Sequence, residues 1–265
     1  MTSIKVKDVT VEFTIFDANG RSFRHALLRG GNAGILQKTA KDRLVVTALN
    51  NVSFEAEHGD RIGLIGANGA GKTTLLRVVA GVYPPLRGEV RVDGDISPMF
   101  NTSLGMEMDA TGYENIRICG MMWGMTREEV AGRAEEIAAF SELGDYLNVP
   151  IRTYSAGMMA RLAFAIATAR DPDVLLLDEG IGAGDSRFLK KALARTRELM
   201  ERSSILMIAS HSESIIRDHC NKVIWLHNGV MLEYGSDVEH IIGGYQLSQT
   251  QSGLAAPQPE AKIAG

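Results

Sequence analysis

The sequence has few cysteines, no long apolar run and no excess of basic charge, and each absence narrows what the chain can be. Its two cysteines, Cys119 and Cys220, are far apart and lack metal-ligand spacing, which favours a reducing, cytoplasmic setting. No stretch approaches the roughly 18 consecutive apolar residues of a membrane-spanning helix, and the first residues lack the apolar segment of a signal peptide. With a net charge of −4, nucleic acid is not an expected partner.

The most informative segment that is present is the pattern G-x-x-x-x-G-K-[ST] at residues 66–73. The apolar segment Arg61–Ile65 predicts a strand before it, and Thr74–Ala80 predicts a helix after it. Glycines in this context let backbone N–H groups converge on phosphates at the helix N-terminus. Lys72 would reach the β- and γ-phosphate oxygens, and the Thr73 hydroxyl would bind Mg²⁺. The sequence therefore predicts a nucleoside triphosphate site. Its predicted residues are Gly66, Ala67, Asn68, Gly69, Ala70, Gly71, Lys72, Thr73 and Thr74.

Two further groups with catalytic potential follow apolar segments. Asp178 and Glu179 come directly after Val174–Leu177, where one carboxylate can hold Mg²⁺ and the next can act as general base. We assign these roles to Asp178 and Glu179 respectively; the alternative is two acids that cap a turn. His211 follows the apolar run at 204–209 and is expected at the same sheet edge. It could bond the γ-phosphate or hold Glu179 and water in line, although a packed or surface histidine is the alternative.

The distribution of apolar residues predicts a single domain over residues 1–245. Its second half has three continuous apolar runs, and helical segments separate each run from the next. This order indicates βαβ units and a parallel sheet. Helical spacing runs from Gly112 to about Gly144, where Thr126–Glu129 predicts a capped helix start, and a second helix is predicted at Ala156–Ala169. These helices predict a helical subdomain at about 96–169, flanked by two core segments. These core segments are 1–95 and 170–245. The segment 17–43 is interpreted as an irregular insertion, either a gate near a membrane or a plain surface loop. The tail 246–265, rich in Gln, Ser, Ala and Pro, is predicted to be disordered.

The ordered set of motifs resembles that of ATP-binding-cassette (ABC) ATPases from Ile4 to about Tyr245. Besides the phosphate loop, the match includes Tyr154–Met158, Leu175–Glu179, Gly184-Asp185 and His211. The resemblance implies an α/β fold with a P-loop NTPase (RecA-like) core and a parallel sheet. It also implies an antiparallel N-terminal β part and a helical subdomain, with ATP and Mg²⁺ as cofactors and Lys72, Glu179 and His211 as catalytic residues.

The same resemblance assigns a homodimer and the residues that contact ATP from both subunits. Ser155, Ala156 and Gly157, at the start of a predicted helix, would cap the ATP held by the other subunit, since N–H groups there favour phosphate. Phe13 would stack on the adenine, with Phe16 as the competitor and a place in the core as the alternative reading.

Two further positions carry assignments of this kind. Asp185 would lie at the dimer interface, with a surface turn as the alternative. The family's Mg²⁺-contacting glutamine is missing, because no glutamine occurs between Gln37 and Gln246, and Asn101 is the nearest replacement unless it is an ordinary turn residue. The predicted metal ligands are therefore Thr73, Asp178 and Asn101.

The segment Thr153–Met158 departs from the family's usual Leu-Ser-Gly-Gly-Gln at three of five positions and is similar to the polysaccharide-exporting subfamily. This implies ATP hydrolysis that drives export of a polysaccharide or lipid-linked glycan through a separate integral-membrane permease. The permease would dock on the helical subdomain and residues 101–115. This places the chain peripherally on the cytoplasmic face of the inner membrane. Since the predicted fold ends near Tyr245, direct glycan binding by this chain is not expected.

Three alternatives remain. The cargo could instead be a drug, lipid or ion, or the chain could be a soluble ABC ATPase of DNA repair or translation. The missing glutamine would also suit a nucleotide-binding scaffold with little turnover.

Overall fold

A computed structural model describes residues 1–15, 35–38, 44–100, 105–178 and 186–253, and it shows two sheets with helices around them. The strands are β1 Ser3–Ile15, β2 Ile35–Lys38, β3 Leu44–Glu57, β4 Arg61–Ile65, β5 Arg87–Asp93, β6 Ile96–Pro98, β7 Val174–Leu177, β8 Ile205–Ala209, β9 Lys222–His227 and β10 Val230–Gly235. The helices are α1 Lys72–Val79, α2 Gly112–Met122, α3 Arg127–Ser141, α4 Ala156–Ala167, α5 Ser186–Arg202, α6 Glu213–His219 and α7 Val238–Gly253.

The first sheet is antiparallel, with strand order β2-β3-β1-β5. It matches the antiparallel N-terminal part that the sequence predicts, with one correction. Residues 35–38, inside the segment interpreted as an irregular insertion, form β2 and pair with the start of β3, so that Ile35 lies opposite Thr47. A four-residue strand whose partner follows it in the chain has little periodicity of its own, which explains the error.

The second sheet has the order β10-β9-β4-β8-β7-β6, and all of its pairs are parallel except β10 with β9. Its continuous apolar strands are buried on both faces. In β7, Val174 and Leu176 pack toward the first sheet, whereas Leu175 and Leu177 pack on the opposite face with α5, for example against Phe188. Because successive strand residues point to opposite faces, a strand covered on both sides must be apolar throughout. The predicted parallel sheet is confirmed.

Helix α1 lies between the two sheets, which is what fixes the phosphate loop. Leu75, Leu76, Val78 and Val79 are at most 2% exposed and belong to the same apolar cluster as residues of β1, β3 and β4. Burying four such side chains contributes on the order of 6–10 kcal/mol to the free energy of folding, relative to leaving them in water. The helix that leaves the loop is therefore held by its apolar residues on both sides.

The helical subdomain consists of α2, α3 and α4 around a core of its own. Both of its first two helices begin with a capping box, in which Thr111 pairs with Glu114 and Thr126 pairs with Glu129. The helix start predicted at Thr126 is thus present. Ile96–Pro98, at the start of the segment of about 96–169 assigned to this subdomain, forms β6 and pairs with β7 in the parallel sheet.

The last helix, α7, extends further than expected. It continues to Gly253, so the first part of the tail predicted to be disordered is helical, and Gln246 donates from Nε2 to Glu213 Oε2 at 2.6 Å. The sequence boundary at Tyr245 was set by composition, which does not register this contact with α6. Among the helices of the described ranges, none combines the length and the apolar character needed to cross a membrane.

Candidate functional site

The phosphate loop joins β4 to α1, and two of its glycines are required by geometry. Gly66 has φ of 146°, and a Cβ there would lie 2.3 Å from the carbonyl oxygen of Leu226 in the neighbouring strand. Gly71 has φ of 109°, and its Cβ would lie 2.8 Å from the carbonyl oxygen of Ala48. A side chain at either position would push the loop away from β9 or β3. The glycines therefore set how tightly the loop curls against the sheets.

Lys72 begins α1 and folds back over the loop. Its Nζ donates to the carbonyl oxygen of Gly66 at 2.6 Å and to that of Ala67 at 3.2 Å, and the residue is only 8% exposed. The N–H groups of the first helical turn have no acceptor within their own helix and favour an anion at this end. An ammonium group and several N–H donors thus face the same loop, which fits a phosphate chain.

Asp178 and His211 line the same cavity as this loop, and they follow β7 and β8. Asp178 follows β7 and His211 lies two residues after β8, at the carboxyl edge of the parallel sheet. Both line a cavity of about 480 Å³ together with the phosphate loop. The remaining lining residues are Val46, Ala48, Asn68, Gly69, Ala70, Gly71, Lys72, Thr73 and Thr74. The structure thus brings the predicted loop residues together with Asp178 and His211.

The donor set of this cavity suits Mg²⁺ bound with a phosphate chain. Thr73 offers a hydroxyl and Asp178 a carboxylate, and both line the same cavity as Lys72. Mg²⁺ prefers oxygen ligands and usually binds through one or two protein groups, completing its octahedron with phosphate oxygens and waters. The residues present therefore fit a phosphate-bound magnesium ion.

Val46 and Ala48 of β3 belong to the lining, although the sequence reasoning did not single them out. In β3 they are half-buried, whereas their neighbours Val45, Thr47 and Leu49 are buried. This alternation in burial shows one face of β3 in the core and the other toward the phosphate loop. The sequence Val45–Leu49 does not alternate in polarity in the same way, so it gave no signal of this pattern.

Ser155 is the N-cap of α4, and its Oγ accepts the N–H of Met158 at 3.2 Å. Ser155 and Ala156 are exposed, Gly157 is half-buried, and the three do not line the phosphate-loop cavity of their own chain. The predicted helix start at this motif is present. The motif therefore offers a helix N-terminus at the surface, away from the chain's own phosphate loop.

Phe13, the predicted adenine-stacking residue, lies near the end of β1 and is 38% exposed. Phe13 is not among the described residues that line the phosphate-loop cavity. However, it lies opposite Val46 in the strand pairing, and Val46 does line the cavity. Opposite residues of an antiparallel pair point to the same face of the sheet. Phe13 is thus one strand further from the phosphate loop on the same face.

Five residues singled out in the sequence lie outside the described residues. They are Phe16, Asn101, Glu179, Gly184 and Asp185. Their assignments stay predictions.

A second cavity, of about 760 Å³, lies on the helical subdomain. Its lining mixes charges of both signs with apolar groups. It consists of Glu107, Asp109, Ala110, Glu114, Arg117, Ile118, Met121, Arg127 and Val130. Asn115, which is fully buried, fixes the rim, because its side chain bonds the backbone of Glu107, Ala110 and Thr111. Sequence reasoning missed this asparagine, and a lone Asn in a helix gives no signal of such a role.

A phosphate loop between a parallel strand and a helix, faced by an acid and a histidine at the same sheet edge, defines a P-loop nucleotide-binding domain. The family model described as ABC transporter matches residues 49–182. The chain belongs to this family. The predicted family, fold class and ATPase activity are confirmed.

Several proteins of known role are similar to the chain. It is 42% identical to the O-antigen export system ATP-binding protein RfbE of Yersinia enterocolitica, over 90% of this chain and 100% of that protein. It is 36% identical to the O-antigen export system ATP-binding protein RfbB of Myxococcus xanthus, over 97% of this chain but 59% of that protein. It is 35% identical to the teichoic acids export ATP-binding protein TagH of Lactococcus lactis, over 92% of this chain but 50% of that protein. The chain thus spans 59% and 50% of the length of the latter two.

Two solved structures share the fold. One is an ATP-binding cassette in a dimeric post-hydrolysis state bound to ADP and Pi, with a TM-score of 0.62 and 21% identity over 88% of this chain and 98% of that chain. The other is an ATP-binding subunit of an ABC transporter, with a TM-score of 0.65 and 21% identity over 96% of this chain and 99% of that chain. At this identity the likeness concerns the fold.

Proposed function

We propose that this chain is the ATP-hydrolysing subunit of an exporter that moves a polysaccharide or lipid-linked glycan through a separate integral-membrane permease. The observation that carries the proposal is the 42% identity to an O-antigen export ATP-binding protein over that protein's entire length. A relative named for teichoic acid export supports the same class of cargo, a polymer of the cell envelope. The similarity of Thr153–Met158 to the polysaccharide-exporting subfamily adds a local motif to this argument.

The phosphate-loop cavity supports the hydrolytic step. First-turn N–H groups and Lys72 would hold the β- and γ-phosphates, and Thr73 with Asp178 would hold Mg²⁺, with Asn101 as the third proposed ligand. When bound, Mg²⁺ neutralises charge on the phosphate oxygens. His211 would orient the γ-phosphate, and Glu179 would accept a proton from the attacking water.

The exposed Ser155 motif supports action as a homodimer. A helix N-terminus that lies on the surface, and not in its own phosphate-loop cavity, suits contact with the nucleotide of a second copy. In that arrangement Ser155, Ala156 and Gly157 complete the partner's site, and Asp185 lies between the two copies. Each copy alone would then hold ATP but hydrolyse it poorly.

The helical-subdomain cavity supports docking of the permease at the cytoplasmic face of the inner membrane. Its lining joins the acidic Glu107 and Asp109 to the apolar Met121, and the nearby Met108 and Met122 are 47% and 61% exposed. Methionine-rich surfaces with flanking charge bind amphipathic segments well, because the thioether side chain adapts to its partner. A cytoplasmic segment of the permease is the proposed occupant.

The hydrolytic half of the proposal is tested with Glu179→Gln and Lys72→Ala. Glu179→Gln should bind ATP and form a dimer that persists on size-exclusion chromatography, whereas Lys72→Ala should neither bind ATP tightly nor dimerise. Light scattering with and without ATP measures both effects. A Glu179→Gln protein that stays monomeric at saturating ATP contradicts the homodimer.

The cargo half is tested in cells of the source organism. Depletion of the chain should leave the lipid-linked glycan inside the cell, and the wild-type chain, but not Lys72→Ala, should restore surface display. A Glu179→Gln protein purified from solubilised membranes should retain a polytopic permease, whereas Met121→Glu should lose it. Normal glycan display after depletion, together with a permease for another solute, would move the proposal to a drug, lipid or ion.

A further inference from the structure

Phe13 is held by a neighbour that the phosphate site does not use. The rings of Phe13 and Tyr83 meet at 74°, with their centroids 5.2 Å apart. This is the edge-to-face geometry that aromatic pairs prefer. Since Phe13 is still 38% exposed, part of its ring remains open on the face shared with Val46.

Tyr83 is in turn fixed to helix α1. Arg77, in the last turn of α1, donates from Nη1 to Tyr83 Oη at 3.0 Å, and its guanidinium lies 5.6 Å from the ring centroid. The backbone N–H groups of Val82 and Tyr83 both donate to the carbonyl oxygen of Arg77, at 2.9 and 3.3 Å. The segment after α1 is thereby held on the helix whose other end carries the phosphate loop.

We propose that Tyr83 is a positioning residue for the nucleotide base. It holds the Phe13 ring in one orientation, so that the open part of that ring stacks on adenine without first losing rotamer freedom. A strand-end phenylalanine with no such neighbour populates several rotamers, and fixing one of them on binding weakens affinity. The inference rests on the proposed base-stacking role of Phe13.

The proposal makes a prediction that separates base from phosphate. Stacking involves the base alone, so Tyr83 should affect ligands that carry a base and leave inorganic phosphate ligands unchanged. ADP and inorganic pyrophosphate are suitable probes, because ADP is not turned over and both carry the phosphate groups that the loop would hold. Isothermal titration of the full chain with each ligand gives the two dissociation constants.

Three variants are compared with the wild type. Phe13→Ala should weaken ADP binding about tenfold or more, as loss of an aromatic platform does for a bound base. Tyr83→Leu should weaken it about 2- to 10-fold, the range of one edge-to-face pair. Tyr83→Phe loses the Oη contact but keeps the ring and the backbone hydrogen bonds to Arg77, so it serves as the control for the ring, with less than about a twofold change. Pyrophosphate binding should be unchanged in all three, which also reports that the phosphate loop is folded.

The double variant Phe13→Ala/Tyr83→Leu identifies positioning as such. If Tyr83 acts through Phe13, the double variant binds ADP no more weakly than Phe13→Ala alone. Additive losses would overturn the proposal, and so would a Tyr83→Leu protein that loses ADP and pyrophosphate affinity equally. Wild-type ADP affinity in Phe13→Ala would instead refute the base-stacking assignment. If Phe13→Ala loses ADP affinity and Tyr83→Leu does not, only the inference about Tyr83 is refuted.

Discussion

The side chain of Asn115 organises the rim of the helical-subdomain cavity, and its removal should loosen that rim without altering the nucleotide site. Its Oδ1 accepts the N–H of Glu107 at 2.8 Å, and its Nδ2 donates to the carbonyl oxygens of Glu107 and Thr111, each at 2.9 Å. A weaker contact at 3.2 Å reaches the carbonyl oxygen of Ala110. The perturbation is Asn115→Ala, which removes all four contacts at once.

The size of the effect follows from what replaces these contacts. Each hydrogen bond contributes about 0.5–1.5 kcal/mol net, and more when its partner is left buried and unpaired. Glu107 is exposed, so water can replace Asn115 at its N–H and carbonyl groups. We therefore expect Asn115→Ala to lower the free energy of local opening of the rim by about 2 kcal/mol, at the lower end of the sum over the four contacts. This is a roughly 30-fold faster exchange of the Glu107 amide hydrogen.

Hydrogen–deuterium exchange of the purified chain, followed by mass spectrometry of peptides from residues 105–115, measures this directly. Asn148→Ala is the control, because Asn148 is exposed and also lies in the helical subdomain. ADP affinity should be unchanged in both variants, whereas retention of the permease should fall only in Asn115→Ala. Unchanged exchange at Glu107 in Asn115→Ala would refute the reasoning.

Three further predictions concern the nucleotide site, the exposed motif and the thiols. Gly66→Ala should reduce ADP affinity more than tenfold, since its Cβ would lie 2.3 Å from a backbone oxygen of β9. Gly132→Ala is the control, because nothing lies within 4 Å of its Cβ, and it should be neutral or slightly stabilising in thermal unfolding. Ser155→Ala should cost about 1 kcal/mol of stability through the lost cap, while Ser155→Asp should keep the cap yet abolish the ATP-induced dimer seen by light scattering. Burial raises the pKa of Cys119 to about 11 and that of Cys220 to about 12, so both thiols stay protonated at pH 8 and should react with an aromatic disulfide only after denaturation.

The elements that the sequence predicts well are those whose signal is local. The phosphate loop requires particular residue types within eight positions, because its backbone conformation and its contacts depend on them directly. The capped helix start at Thr126 is similar, since the cap and Glu129 lie in one turn. The doubly buried strands β7 and β8 are also local signals, because burial on both faces demands an uninterrupted apolar run.

The elements that were missed depend on partners elsewhere in the chain. Strand β10 was not predicted, although Asn228-Gly229, with φ of 49° and 79°, forms a two-residue turn of the kind that joins hairpin strands. Short β6 and β2 are strands only because a longer neighbour pairs with them. The contact of Gln246 with Glu213 likewise joins positions 33 residues apart, and composition cannot reveal it.

The two ends of α1 relate the predictable and the unpredictable parts of the candidate site. Its N-terminus carries the phosphate loop, which the sequence shows plainly. Its last turn carries Arg77, which bonds Tyr83, the neighbour of Phe13. An eight-residue helix is about 12 Å long, and its apolar residues are buried between two sheets. The phosphate loop and the Phe13–Tyr83 pair are thus attached to opposite ends of one buried helix. The sequence singled out Phe13 but not its neighbours Tyr83 and Val46, because these three residues come from separate segments that meet only in the folded chain.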